Sequence, residues 1–207
     1  MQHCCIYYLP LTILKTLKSN KVNKSLLLLT LVLTISLTFS ACDKDDPEVP
    51  NEEELITTLS YSLTPTGGGT AISLSFQDLD GDGGNAPTIV GGTLTANQTY
   101  TGAIALLNES ESPAEDITAE IQEEDEDHQF FFQSSISGLT VGYNDQDADG
   151  NPIGLSSTLT TGATGSGTLT ITLRHEPSKS ASGVSDGDIA NAGGETDIEV
   201  TFPIDVQ

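Results

Sequence analysis

The chain has 207 residues, with 30 acidic against seven basic side chains and a net charge of −23. A surface this acidic repels nucleic acid and anionic lipid headgroups and attracts cations. Three cysteines and no tryptophan argue against a disulfide-stapled scaffold and an aromatic sugar platform.

Residues 1–41 contain no Asp or Glu. They carry Lys15, Lys18, Lys21 and Lys24, then the apolar run Leu26–Phe39. The run is shorter than the about 20 residues a membrane-spanning helix needs. A basic region, a short apolar run and small residues at its end predict a signal peptide. The segment before Val22 adds nothing to it, and Val22-Asn23-Lys24-Ser25-Leu26 reads as a translation start at Val22. Phe39-Ser40-Ala41-Cys42 resembles a lipobox. The resemblance implies cleavage before Cys42, with a diacylglycerol on its sulfur and the membrane as partner through acyl chains. Several buried chains hold far more firmly than one. Asp43-Lys44-Asp45-Asp46 resembles the Lys-(Asp/Glu)2 export signal of Bacteroidota lipoproteins, read on Lys44, Asp45 and Asp46. It implies the outer face of the outer membrane.

Residues 42–54 form the acylated cysteine and an acidic, proline-containing tether, expected to be disordered. Residues 55–207 form one acidic domain. Only Lys44, Arg174 and Lys179 oppose the acids after Cys42. Period-two alternation predicts strands at Leu55–Leu63, Ala71–Phe76, Tyr100–Leu107, Phe130–Ile136, Leu139–Tyr143, Leu155–Leu159, Thr168–Leu173 and Ile198–Val206. Ser112-Pro113-Ala114-Glu115 carries a cap, a proline at the first helical position and an acid three residues after the cap. It predicts one short acidic helix over 113–127, with Ile117 and Ile121 on one face. The fold expected is all-β, an antiparallel sandwich of Greek-key or immunoglobulin-like type with about eight strands. Leu74–Gly83 matches Val141–Gly150, and the match continues through Leu94 with Leu159 and Gly102 with Gly167. This pattern predicts two related halves.

The acidic loops carry the clearest chemistry. Asp78, Asp80 and Asp82, and again Asp145, Asp147 and Asp149, alternate before a glycine. Ca2+ takes six to eight oxygens, and this spacing lets one turn supply several. The bidentate Glu of an EF-hand is missing, since Ile89 and Ser156 stand there. The alternative is a pair of solvated acidic turns. Glu124 and His128 are four apart at the end of the predicted helix, and His175 follows a strand. Carboxylate with imidazole suits Zn2+ or Cu2+, so Glu124, His128 and His175 are a second candidate site beside the reading of plain surface histidines. Gly183-Val184-Ser185-Asp186-Gly187 has the spacing of a nucleophile elbow, but it lies in a polar loop and no histidine follows it. No catalytic residue is assigned.

Asn108–Thr118 and Gly194–Phe202, together with the lipobox and the Asp-rich loops, resemble a family of flavobacterial surface lipoproteins. Some members carry the label "type 1 periplasmic binding fold", which needs two lobes of alternating strands and helices. The expected function is a non-catalytic, Ca2+-stabilised binding or structural domain at the cell surface. The alternative is an accessory lipoprotein that captures a metal ion or small solute for an outer-membrane transporter.

Overall fold

Alternating Leu, Ile and Thr side chains suit a pleated surface with one wet face, and they set most of the architecture. The computed structural model describes residues 54–81, 84–110 and 112–207. The leader, Cys42, Lys44, Asp45, Asp46 and Asp82 lie outside the described residues. Ten strands are described: β1 (Thr58–Pro65), β2 (Ile72–Gln77), β3 (Thr88–Val90), β4 (Gly92–Leu94), β5 (Thr99–Leu107), β6 (His128–Ser134), β7 (Thr140–Tyr143), β8 (Ser156–Thr160), β9 (Gly165–His175) and β10 (Glu195–Val206). They form a six-stranded sheet in the order β3-β2-β1-β5-β8-β7 and a four-stranded sheet in the order β4-β10-β9-β6. Pairing is antiparallel except between β4 and β10. All eight predicted strands are present. The two extra ones, β3 and β4, are too short to show a period.

The sheets bury a shared interior. Leu59, Tyr61 and Leu63 of β1 share one apolar cluster with Phe202, Ile204 and Val206 of β10. Each such side chain contributes about 1.5–3 kcal/mol on burial. Gly91 lies between β3 and β4, where the chain passes from one sheet to the other. A Cβ there would lie 1.9 Å from the carbonyl oxygen of Pro203, so only glycine lets the chain cross so close to β10. The first four residues of β6, His128 to Phe131, are buried on both faces. Phe130 points into the sandwich, while Phe131 packs with Val184 and Ala192. Those two come from the segment 176–194, whose short 3-10 turns Val184–Asp186 and Ile189–Asn191 cover the outer face. Ser185 is part of that cover.

Burial of Tyr61 is matched by a hydrogen bond of 2.8 Å between its hydroxyl and Ser157 Oγ. Burial pushes the phenol up to about 12, with the Ser157 bond acting in the opposite direction. Gly102 leaves the space for this pair, since a Cβ would lie 2.5 Å from both oxygens. Gly102→Ala is therefore expected to destabilise the domain by about 1–3 kcal/mol through overpacking. Urea unfolding measures it, and a change below about 0.5 kcal/mol, the range of ordinary surface substitutions, would mean the pair shifts freely.

The helix is shorter than predicted. α1 spans Ile117–Glu123, with Ile117 and Ile121 buried as expected. It does not begin at Pro113, because Glu115 and Asn108 exchange backbone hydrogen bonds in an isolated bridge. That bridge claims the backbone the predicted first turn would use. Among the described residues no helix is long and apolar enough to cross a membrane. The sequence repeat does not become a repeat of pairing. β4 runs parallel to β10 in the small sheet, while its counterpart β8 pairs antiparallel in the large one. Glu52–Gln207 forms one compact unit.

Candidate metal centre

His128 opens β6 and His175 closes β9, and the two are direct cross-strand partners. Alternation puts both on the inner face, in line with Phe130 and Leu173, at the end of the sandwich. Their rings lie 4.5 Å apart between centroids. The next strand, β10, carries a register shift between Thr196 and Ile198, so Asp197 is an extra residue inserted between the paired positions. A bulge re-aims a side chain. Here it turns the Asp197 carboxylate inward beside Ile198, where its side chain is 0% exposed. Glu54 arrives from the segment before β1, its side chain 8% exposed.

These four side chains converge. His128 Nε2 lies 3.1 Å from Glu54 Oε1 and 3.8 Å from Asp197 Oδ2. His175 Nδ1 lies 3.8 Å from Glu54 Oε2 and 3.7 Å from Asp197 Oδ1. One donor atom from each of the four lies within 4.8 Å of every other, so the group can hold a metal ion. Metal–ligand bonds of about 2.0–2.2 Å in a tetrahedron separate neighbouring donors by about 3.3–3.6 Å, and the imidazole–carboxylate distances of 3.1 to 3.8 Å bracket that spacing. His128 Nε2 and Glu54 Oε2 are buried and make no hydrogen bond among the described residues. Two such buried atoms in one cluster suit a shared cation, which satisfies both.

The outer layer prepares His128 for this role. Its Nδ1 lies 3.0 Å from the backbone carbonyl of Glu124. A carbonyl only accepts, so Nδ1 carries a proton, and Nε2 is the ring nitrogen turned toward the centre, the one a metal would take. Glu124 is the C-cap of α1, and its oxygen is among those a helix end leaves without an internal partner. The same oxygen accepts the Asp127 backbone N–H at 3.0 Å, so one carbonyl serves both the turn after the helix and the imidazole.

The structure brings together two of the three residues predicted for a transition metal. His128 and His175 are ligand candidates. Glu124 is not, because it serves through its backbone and its carboxylate is outside the group. Glu54 and Asp197 were not legible as partners. Glu54 reads as the end of a tether. Regular alternation with Ile198 and Val200 would turn Asp197 outward, and no residue in the sequence marks the bulge that reverses it.

In the second acidic loop two of the three carboxylates already hold partners within the protein. Asp145 accepts the backbone N–H of Gly154 at 2.8 Å and of Ser156 at 2.7 Å. Asp147 is buried and accepts from Asp149 and Asn151 backbone nitrogens. Its Oδ2 lies 3.0 Å from Lys179 Nζ, itself buried, which also donates to the Asp125 carbonyl. The counter-charge of Asp147 is the Lys179 ammonium. Burial raises the Asp147 carboxyl, but the Lys179 and Asn151 hydrogen bonds outweigh it and hold it below the usual range. Asp149 is exposed. In the first loop Asp78 accepts from Gly81 N at 3.0 Å. Asp80 accepts from the backbone and side-chain nitrogens of Asn85, bonds that lower its pKa. These carboxylates hold turns.

No protein-family model matches the chain, and no curated protein matches it. Among solved structures, the S-layer protein SbsC domains 4 and 5 are similar at 14% identity, covering 70% of this chain and 75% of that one, with a TM-score of 0.29. A likeness at that level says nothing about function.

Proposed function

We propose that this protein is a lipid-anchored envelope protein, of the flavobacterial surface-lipoprotein type it resembles, whose acidic β-sandwich holds a transition-metal ion. The ion is Zn2+, with Cu2+ the competitor. The observation that carries the reading is the convergence of His128, His175, Glu54 and Asp197 in a nearly sealed pocket. Two neutral imidazoles and two carboxylates neutralise a divalent ion, and nitrogen donors favour Zn2+ or Cu2+ over Ca2+. Four protein ligands fill a tetrahedral shell, the pattern of a structural rather than a hydrolytic site. The domain then works as a non-catalytic binding or scaffold module. Three ligands come from the four-stranded sheet and the fourth from the lead-in to the six-stranded one, so the ion clamps the end of the sandwich.

Calorimetric titration of Zn2+ into the metal-stripped domain, with excess Ca2+ present, tests this. One site per chain is expected, and it should disappear with His128→Ala and His175→Ala. Equal binding by parent and mutants would reduce the interaction to a diffuse acidic surface. The anchor has its own test. Cys42→Ser is expected to block both fatty-acid labelling and removal of the leader, since the thiol is the acyl acceptor; a labelled, processed mutant would remove the lipoprotein reading.

A second reading, capture of metal for a transporter, is favoured by the cleft that reaches Glu54 and Asp197 from the surface. A permanent clamp releases its ion slowly, whereas a carrier hands it over.

A further inference from the structure

The four candidate ligands are not held alike. His128, His175 and Asp197 stand on β6, β9 and β10, which are hydrogen-bonded neighbours. They cannot separate unless the sheet opens. Glu54 belongs to the lead-in before β1, whose backbone hydrogen bonds among the described residues begin at Thr57, with Leu107 O as acceptor and Asp78 N as donor. Leu55 beside it is 57% exposed. A short turn of chain, free of the strand ladder, therefore carries one ligand in four.

That ligand also lies on the way in. A cleft of about 590 Å3 runs between the lead-in Glu54–Thr57, the turn Asp78–Gly81 and the start of β10 at Asp197–Glu199. Glu54 and Asp197 line it, whereas His128 and His175 stand behind them. Asp78, Asp80 and Glu199 give the walls a negative charge. The Glu54 side chain is more than nine-tenths buried, and its Oε2 has no hydrogen-bond partner. An oxygen so placed, between an acidic cleft and the His175 ring nitrogen 3.8 Å away, marks where a cation passes.

We propose that the metal ion enters and leaves through this cleft and that Glu54 is its gating ligand. The proposal rests on the metal-centre reading above. The ion first meets His128, His175 and Asp197, which are already in place on the sheet. Glu54 then closes as the lead-in docks. Release runs in reverse, Glu54 letting go first while the other three ligands still hold the ion. Metal occupancy is thereby coupled to the order of residues 54–57, the point where the domain meets its tether.

The experiment is stopped-flow release of Zn2+ from the loaded domain beginning at Asp43, mixed with excess chromogenic chelator. Hydrogen exchange at the Leu55 and Ile56 amides is followed with and without Zn2+. Glu54→Gln is expected to bind one Zn2+ and release it at least tenfold faster than the parent. Zn2+ should protect the two amides in the parent and not in the variant. Failure of the parent to bind Zn2+ would overturn the centre itself. If the parent binds, release from Glu54→Gln at the parent rate would overturn the gate and leave the centre standing. Loss of all binding by Glu54→Gln would also overturn it, since the three sheet ligands would then be unable to hold the ion alone.

Discussion

Zn2+ at a hundredfold excess over its dissociation constant is expected to stabilise the metal-stripped domain by about 2.7 kcal/mol, because it binds only the folded chain. For a domain of this size that raises the melting temperature by about 5–11 °C. Asp197→Asn separates ligation from folding. It keeps the shape of the side chain and removes one of two carboxylates set close together around the histidines. Its apo form should melt no lower than the parent's, yet show little response to Zn2+. Ca2+ should not reproduce the shift, because two of the four donors are imidazoles. Identical melts in Zn2+ and in EDTA would mean that the four side chains pair with one another and that no ion belongs there.

Lys179→Met is expected to cost about 3–5 kcal/mol, the largest single-residue effect at a distance from the metal centre. The lysine is 5% exposed and its ammonium lies 3.0 Å from Asp147 Oδ2. Removing it leaves a buried carboxylate without its counter-charge. Urea unfolding measures the loss, and less than about 1 kcal/mol, the value of a surface ion pair, would mean that water reaches the site. Acid should act on the same pair. The folded Asp147 carboxyl is held below its usual value, so its contribution is fully present above the unfolded value of about 3.9 and is lost as pH falls through the folded one. The parent should therefore lose stability below about pH 4 more steeply than Lys179→Met. Parallel curves would assign acid unfolding to other carboxylates.

The two acidic loops show how far a motif carries. Asp145-x-Asp147-x-Asp149-Gly150 and its earlier copy are alike as strings. In space one wraps backbone amides and a lysine, the other its own turn. A carboxylate in a chain rich in glycine turns has N–H donors at hand within a few residues. It takes them before it takes an ion, unless further oxygens are brought in from a distance.

What the sequence determined by itself is local and periodic. Alternation of Leu, Ile, Val and Phe with Thr and Ser fixes which segments become strands and which faces they bury, because a strand's two faces are separated by a single residue. Ile117 and Ile121 mark the buried side of α1 for the same reason at a longer period. The composition likewise determines the acidic surface. His128 and His175 are legible as ligand types, since their chemistry is their own. What only the tertiary structure decided is convergence. It pairs His128 with His175 across β6 and β9, distant in sequence and opposed only by register. It inverts Asp197 through a one-residue bulge that costs little and leaves no trace in the pattern. It folds Glu54 back from what reads as tether and assigns Lys179 to Asp147. Such meetings depend on which strands lie side by side, and that is set by the packing of the whole core, not by the residues that meet.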